Sequence, residues 1–186
     1  LGIFGMRFLP IVGRSDEQKW LWASLRKVID TSHAQAVHIT GPEGTGKTRL
    51  AEWLGGRAHE SGSATVLRGD FNGDDEFPFA SMISRHLRCE DLDRDASYQR
   101  IRRHMVIHGW DSLPDAQAIT ELLGPFPNES DADQWVQFES DKERFALIQR
   151  FLEVLCRVRP VVVLLDEAVQ RSEALEFVQH LLVKHL

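Results

Sequence analysis

The chain has 186 residues, 42% of them hydrophobic, and a formal net charge of -6. That is enough apolar material for one sizeable core, and it excludes a fibrous or disordered chain. The acidic balance argues against general affinity for nucleic acid or an anionic membrane surface, and no run approaches the ~18 consecutive apolar residues of a membrane span.

Only two cysteines occur, Cys89 and Cys156, without C-x-x-C spacing. They read as buried thiols in a reducing cytosol, so a cytoplasmic location is expected. The opening LGIFGMRFLP lacks the charged start and small-residue cleavage site of a secretory signal, so Asn128-Glu129-Ser130 is discounted as a glycosylation acceptor.

After Ile11-Val12-Gly13-Arg14, Ser15 is expected to cap a helix reaching about Asp30, with Gln18 closing a capping box. Its inward stripe is Leu21, Leu25, Val28 and Ile29, and the flanking Trp20 and Trp22 read as packing residues rather than ligand-stacking ones. Ala36 to Thr40 (AVHIT) is short, apolar and β-branched, which predicts a strand.

That strand leads into Gly41-Pro42-Glu43-Gly44-Thr45-Gly46-Lys47-Thr48, which fits the Walker A phosphate pattern G-x-x-x-x-G-K-[ST] at every required position. Glycines let backbone N–H groups turn toward phosphates, Lys47 brings positive charge to the β/γ-phosphates, and the Thr48 hydroxyl suits Mg²⁺. Arg49 follows directly. A helix over Thr48 to Glu60, with Leu50, Ala51, Leu54 and Ala58 on one face, would add its N-terminal dipole.

Ala64 to Arg68 (ATVLR) predicts the second strand of a βαβ unit. The following Gly69 to Glu76 reads as a solvated loop, because Asp70, Asp74, Asp75 and Glu76 lack calcium-loop spacing. From Pro78 the pattern is helical, with Phe79, Met82, Ile83, His86 and Leu87 as a core stripe.

The next helix, near Arg94 to His108, carries Arg100, Arg102 and Arg103, which read as a solvated face offset by nearby acids. His104 and His108 stand at i, i+4, but no third metal ligand is indicated. A short helix around Ile119, Leu122 and Leu123 leads into Gly124-Pro125-Phe126-Pro127-Asn128, the one plausible internal boundary. Ser140 and Glu143 form a second capping-box pattern, opening a helix that carries Leu147, Ile148, Phe151, Leu152 and Leu155 toward Pro160.

Val161 to Leu165 is a continuous apolar run, as expected of a strand inside a parallel sheet. Asp166 and Glu167 then stand at its carboxyl end, the edge where open α/β sheets bind ligands. This is the Walker B half of the site: Asp166 is assigned to Mg²⁺ beside Thr48, and Glu167 to the water that attacks the γ-phosphate.

Together these residues resemble the AAA-type P-loop ATPases, most closely the ATPase modules of bacterial STAND-like signalling regulators, some fused to kinases or helical repeats. The resemblance covers nearly the whole chain. It rests on Val12-Gly13-Arg14, the GPEGTGKT loop, Pro78-Phe79-Ala80, and VVVLLDE followed by Ser172-Glu173-Ala174-Leu175.

It implies an α/β fold, a three-layer P-loop NTPase sandwich with a parallel sheet, spanning 1–186 as an incomplete ATPase domain with a helical insertion over 78–158. It also implies ATP bound between Val12-Gly13-Arg14 and the phosphate loop, and nucleotide state switching neighbouring domains of the same polypeptide. A protein effector or a second copy of the chain is a further possible partner. Where relatives carry an aromatic and an acidic residue, Ala168-Val169-Gln170-Arg171 stands here. The chain is expected to stop before the sensor strand that would lie between the AVHIT and VVVLLDE strands, and before any arginine finger. Three functions stay open: an ATP-hydrolysing switch, a non-hydrolysing ATP-binding scaffold, and a DNA-handling ATPase using the Arg100 cluster.

Overall fold

The computed structural model describes residues 11–71, 77–124, 136–168 and 171–183. Its elements are α1 (Ser15–Thr31), α2 (Lys47–Glu60), β1 (Thr65–Asp70), α3 (Pro78–Leu87), α4 (Arg94–Ile107), α5 (Leu113–Leu122), α6 (Asp141–Cys156), β2 (Val161–Asp166) and α7 (Ser172–Val183). β1 and β2 pair in parallel, with Thr65 opposite Val161 and Asp70 opposite Asp166. The α/β architecture with a parallel sheet is therefore as expected.

Strand alternation divides the molecule into layers. Val66 and Val162 join a small core with Leu25, Ala58 and Leu54 from α1 and α2. The intervening Leu67, Val163 and Leu165 face the larger core of α3 to α7. Both faces of β2 are thus covered, the reason its sequence is apolar throughout.

In the larger core, Phe79 is fully buried, its ring 4.3 Å from that of Phe177, 5.2 Å from Phe71 and 5.9 Å from Phe145. One side chain of the predicted α3 stripe thereby joins the end of β1, α6 and α7. Farther out, Arg94 Nε donates to Glu121 Oε1 at 2.8 Å, a buried ion pair tying α4 to α5.

Several expectations need correction. Ala36 to Thr40 forms no strand: the sheet of the described residues is two-stranded, and no chain pairs with this segment. Apolar, β-branched residues favour a strand, but only a neighbouring backbone makes one. Gly69 and Asp70 belong to β1 rather than to the loop, because Asp70 pairs with Asp166.

The α1 capping box is absent: Arg14 is the N-cap and no side chain caps it. Glu143 Oε2 instead accepts from Glu139 N at 3.0 Å, one residue before Ser140, whose own side chain makes no cap bond. Ile29 is 41% exposed, off the α1 stripe, and Cys156 is exposed at the end of α6. Asp74, Asp75, Glu76, Pro125 to Asn128, Val169 and Gln170 lie outside the described residues.

Two measurements probe this packing. A Cβ on Gly55 would lie 2.9 Å from Leu164 Cδ1 and 3.1 Å from Val66 Cγ1. Gly55→Val should therefore cost about 1–3 kcal/mol in urea unfolding, and an unchanged midpoint would contradict this close seating of α2.

His104 Nε2 is buried with no partner among the described residues, and its ring lies 4.4 Å from that of His108 and 5.7 Å from that of His86. Burial, then the charges of His108 and His86, lower its pKa from 6.5 to about 4. Between those values the unfolded chain binds the extra proton, so stability is lost as pH falls through this window. With solvent screening of the half-exposed ring discounted, unfolding at pH 7.5 and pH 4 should show the native chain losing about 1–2 kcal/mol more than His104→Phe. Equal losses would contradict it.

Candidate functional site

The loop before α2 is shaped by two glycines in the left-handed region, Gly44 at φ 75° and Gly46 at φ 84°. Gly46 is the N-cap of α2, and Leu50 N donates to its carbonyl at 3.0 Å, so the helix begins inside the motif. Thr45 closes the turn on itself, its Oγ1 donating to Pro42 O at 2.7 Å. The Lys47 ammonium donates to the carbonyls of Gly41 and Pro42 at 3.1 Å each, which holds its charge over the turn.

At the next position of α2, Thr48 Oγ1 donates to Asp166 Oδ1 at 3.2 Å. The two residues are 118 apart in sequence. They meet because α2 lies across β1 and β2, with its N-terminus at the carboxyl end of β2.

The chain then turns at Glu167, whose φ of 54° is unusual for a residue with a side chain, and Glu167 N donates to Asp166 Oδ1 at 3.1 Å. Backbone strain of this kind concentrates at functional sites. Glu167 lines a cleft of about 460 Å³ with Glu43, Gly44, Gly46, Lys47 and Thr48. Arg49 reaches the same cleft.

Of the Val12-Gly13-Arg14 segment, Arg14 is the residue hydrogen-bonded to the loop among the described residues. Its Nη2 donates to Thr45 O at 2.9 Å while Nη1 pairs with Glu17 at 2.9 Å. The Glu17 carboxyl is held below its usual range by a backbone hydrogen bond and by Arg14. Val12 is 88% exposed. The basic cluster on α4 is not part of this cleft; Arg100 donates to the carbonyl of Arg88, while Arg102 and Arg103 are exposed.

Residues 10–185 match the family described as AAA ATPase domain. The chain belongs to this family. Over 90 residues it is 33% identical to origin recognition complex subunit 4 of Schizosaccharomyces pombe, an alignment covering 46% of this chain and 9% of that protein. No solved structure matches. Membership implies ATP binding and hydrolysis in general terms.

Within this AAA ATPase domain, the donor set at the cleft suits a small hard cation. Thr48 and Asp166 present a hydroxyl and a carboxylate in contact, and no cluster of three or more His, Cys, Asp or Glu that could hold a metal ion occurs among the described residues. Mg²⁺ is characteristically held by one or two protein oxygens and completed by phosphate and water.

Glu52 also lines the cleft and pairs with Arg68 at 3.6 Å. No motif marks it, although it stands at i+4 from Thr48 on α2. No helix among the described residues is long and apolar enough to cross a membrane.

A lost charge-assisted hydrogen bond at a half-exposed site costs about 1 kcal/mol. Arg14→Ala should therefore speed amide exchange in the Gly44 to Gly46 loop roughly fivefold without affecting the middle of α2. Unchanged loop exchange would show that Arg14 does not restrain it.

Proposed function

We propose that this domain binds ATP with Mg²⁺ and hydrolyses it, acting as a nucleotide-controlled switch in a larger signalling protein. The observation that carries the chemical part is the Thr48–Asp166 contact, which brings the two motifs to one cleft with Lys47 and Glu167.

In this reading the loop from Gly41 to Gly46 wraps the phosphates with its backbone N–H groups, and the N-terminal dipole of α2 adds to their field. Lys47 moves from the Gly41 and Pro42 carbonyls to the β/γ-phosphate oxygens. Thr48 and Asp166 would hold Mg²⁺, which would supply positive charge to the phosphates. Glu167 takes a proton from water as the water oxygen bonds to the γ-phosphorus and the bond to the ADP oxygen breaks, leaving ADP and phosphate. The Arg14–Thr45 bond links the loop to α1, a path by which phosphate occupancy reaches the N-terminal part of the domain.

The switching role rests on the resemblance to STAND-like regulators, in which neighbouring domains of the polypeptide read the nucleotide state. A DNA-handling role is the second reading, favoured by the exposed Arg102 and Arg103 and by the relative named for an origin recognition complex. Affinity for duplex DNA that falls steeply with salt would support this second reading.

Lys47→Ala should abolish ATP binding. Glu167→Gln should keep binding but lower single-turnover cleavage by at least ~100-fold. Native turnover in the Glu167 variant would remove that residue from the mechanism, and tight binding without cleavage in the native chain would favour the scaffold reading.

A further inference from the structure

Helix α4 turns Arg94, Ser97, Ile101 and Met105 into the molecule, the buried stripe of an amphipathic helix. Its opposite face ends apolar. Val106 is 52% exposed and Ile107 74%, and Leu113, which opens α5 just past the turn, is 47% exposed. Single apolar side chains in water are ordinary, but branched aliphatics left together in one short stretch mark a surface that another molecule covers.

The same face is basic. Arg102 stands one turn before Val106 and Arg103 one turn before Ile107, the i, i+4 spacing that makes side chains neighbours on a helix. Both arginines are exposed, and among the described residues neither pairs with a carboxylate.

The acids expected to offset them are engaged elsewhere. Asp93 caps α4 by accepting from Ala96 N at 2.8 Å, and Glu90 pairs with Arg85 at 3.5 Å. Arg100, one turn before Arg103, donates to the neutral carbonyl of Arg88, which leaves its charge uncompensated. Asp95, in the first turn of α4, and Asp111, before α5, lie beyond the two ends of the face in sequence.

We infer that this face of α4, with the start of α5, docks an acidic segment of a partner protein, whose carboxylates meet Arg102 and Arg103 and whose apolar side chains cover Val106, Ile107 and Leu113. Charge complementarity selects the occupant: on a chain of net charge -6 this is a local basic face, and it steers an acidic partner to itself. Guanidinium groups grip carboxylates bidentately, and arginine is enriched in protein interfaces. Duplex DNA would use the same arginines for its phosphates, yet such contacts come from polar and cationic groups and leave the aliphatic half of the face in water.

Fluorescence anisotropy of the full chain tests this with a labelled helical peptide carrying glutamates one turn from leucines, a copy with lysine for each glutamate, and a duplex DNA. The acidic peptide should bind and the basic copy should not. Arg102→Glu with Arg103→Glu should weaken the acidic peptide roughly tenfold, and Val106→Ser with Ile107→Ser by a similar factor. Both double variants should keep the native unfolding midpoint, because the substituted side chains are exposed. Failure of the acidic peptide to bind overturns the inference, as does binding that the substitutions at Val106 and Ile107 leave unchanged. Tighter binding of DNA than of the peptide, unaffected by those two substitutions, would assign the face to nucleic acid instead. Self-association of the native chain that both double variants abolish would assign it to a second copy.

Discussion

The missing side chain of Gly55 sets the distance between α2 and the sheet. Leu164 Cδ1 and Val66 Cγ1 occupy the space that a Cβ there would need, so the helix rests directly on both strands. A helix seated this closely delivers its N-terminus to the carboxyl end of β2. There Thr48 reaches Asp166, and Glu167 turns into the same cleft as Lys47. A bulkier residue at position 55 would have to displace the Leu164 and Val66 methyls or shift α2, on whose placement the meeting of the two motifs depends.

On the opposite face, the Phe79 cluster holds β1, α3, α6 and α7 as one packed layer. The sheet is therefore clamped between a small core around Ala58 and Leu25 and a much larger one. The site lies along the rim of this sandwich, where backbone N–H groups at a helix start and carboxylates at a strand end are free of the core. The chemistry proposed for it depends on that rim: a cation partner, an anion cradle and a water-facing carboxylate would each need solvent access, while their backbones need rigid support.

Local signals made much of this legible from sequence. The glycines, Lys47 and Thr48 stand at fixed spacing, and the apolar run ending in Asp166 announces a covered strand, so both halves of the proposed site are readable in the sequence. The helical stripe of Phe79, Met82, Ile83 and Leu87 likewise follows directly from its period, and all four are buried.

What failed depended on partners the local pattern does not name. Ala36 to Thr40 has strand composition but no paired backbone among the described residues. Ser15 has a capping residue's chemistry one position too late. Trp20 flanks the buried stripe of α1 as expected, yet it is 58% exposed rather than packed. Glu52 carries no motif, and only the path of α2 along the cleft brings it into view.

In the proposed chemistry Thr48 and Asp166 form one cation-binding pair serving a bound nucleotide. The most direct measurement is ATP affinity with and without Mg²⁺ in the native chain and in Asp166→Asn. Mg²⁺ should tighten ATP binding in the native chain, and the variant should lose most of that gain while its metal-free affinity stays near native. An equal Mg²⁺ gain in both proteins would contradict the claim.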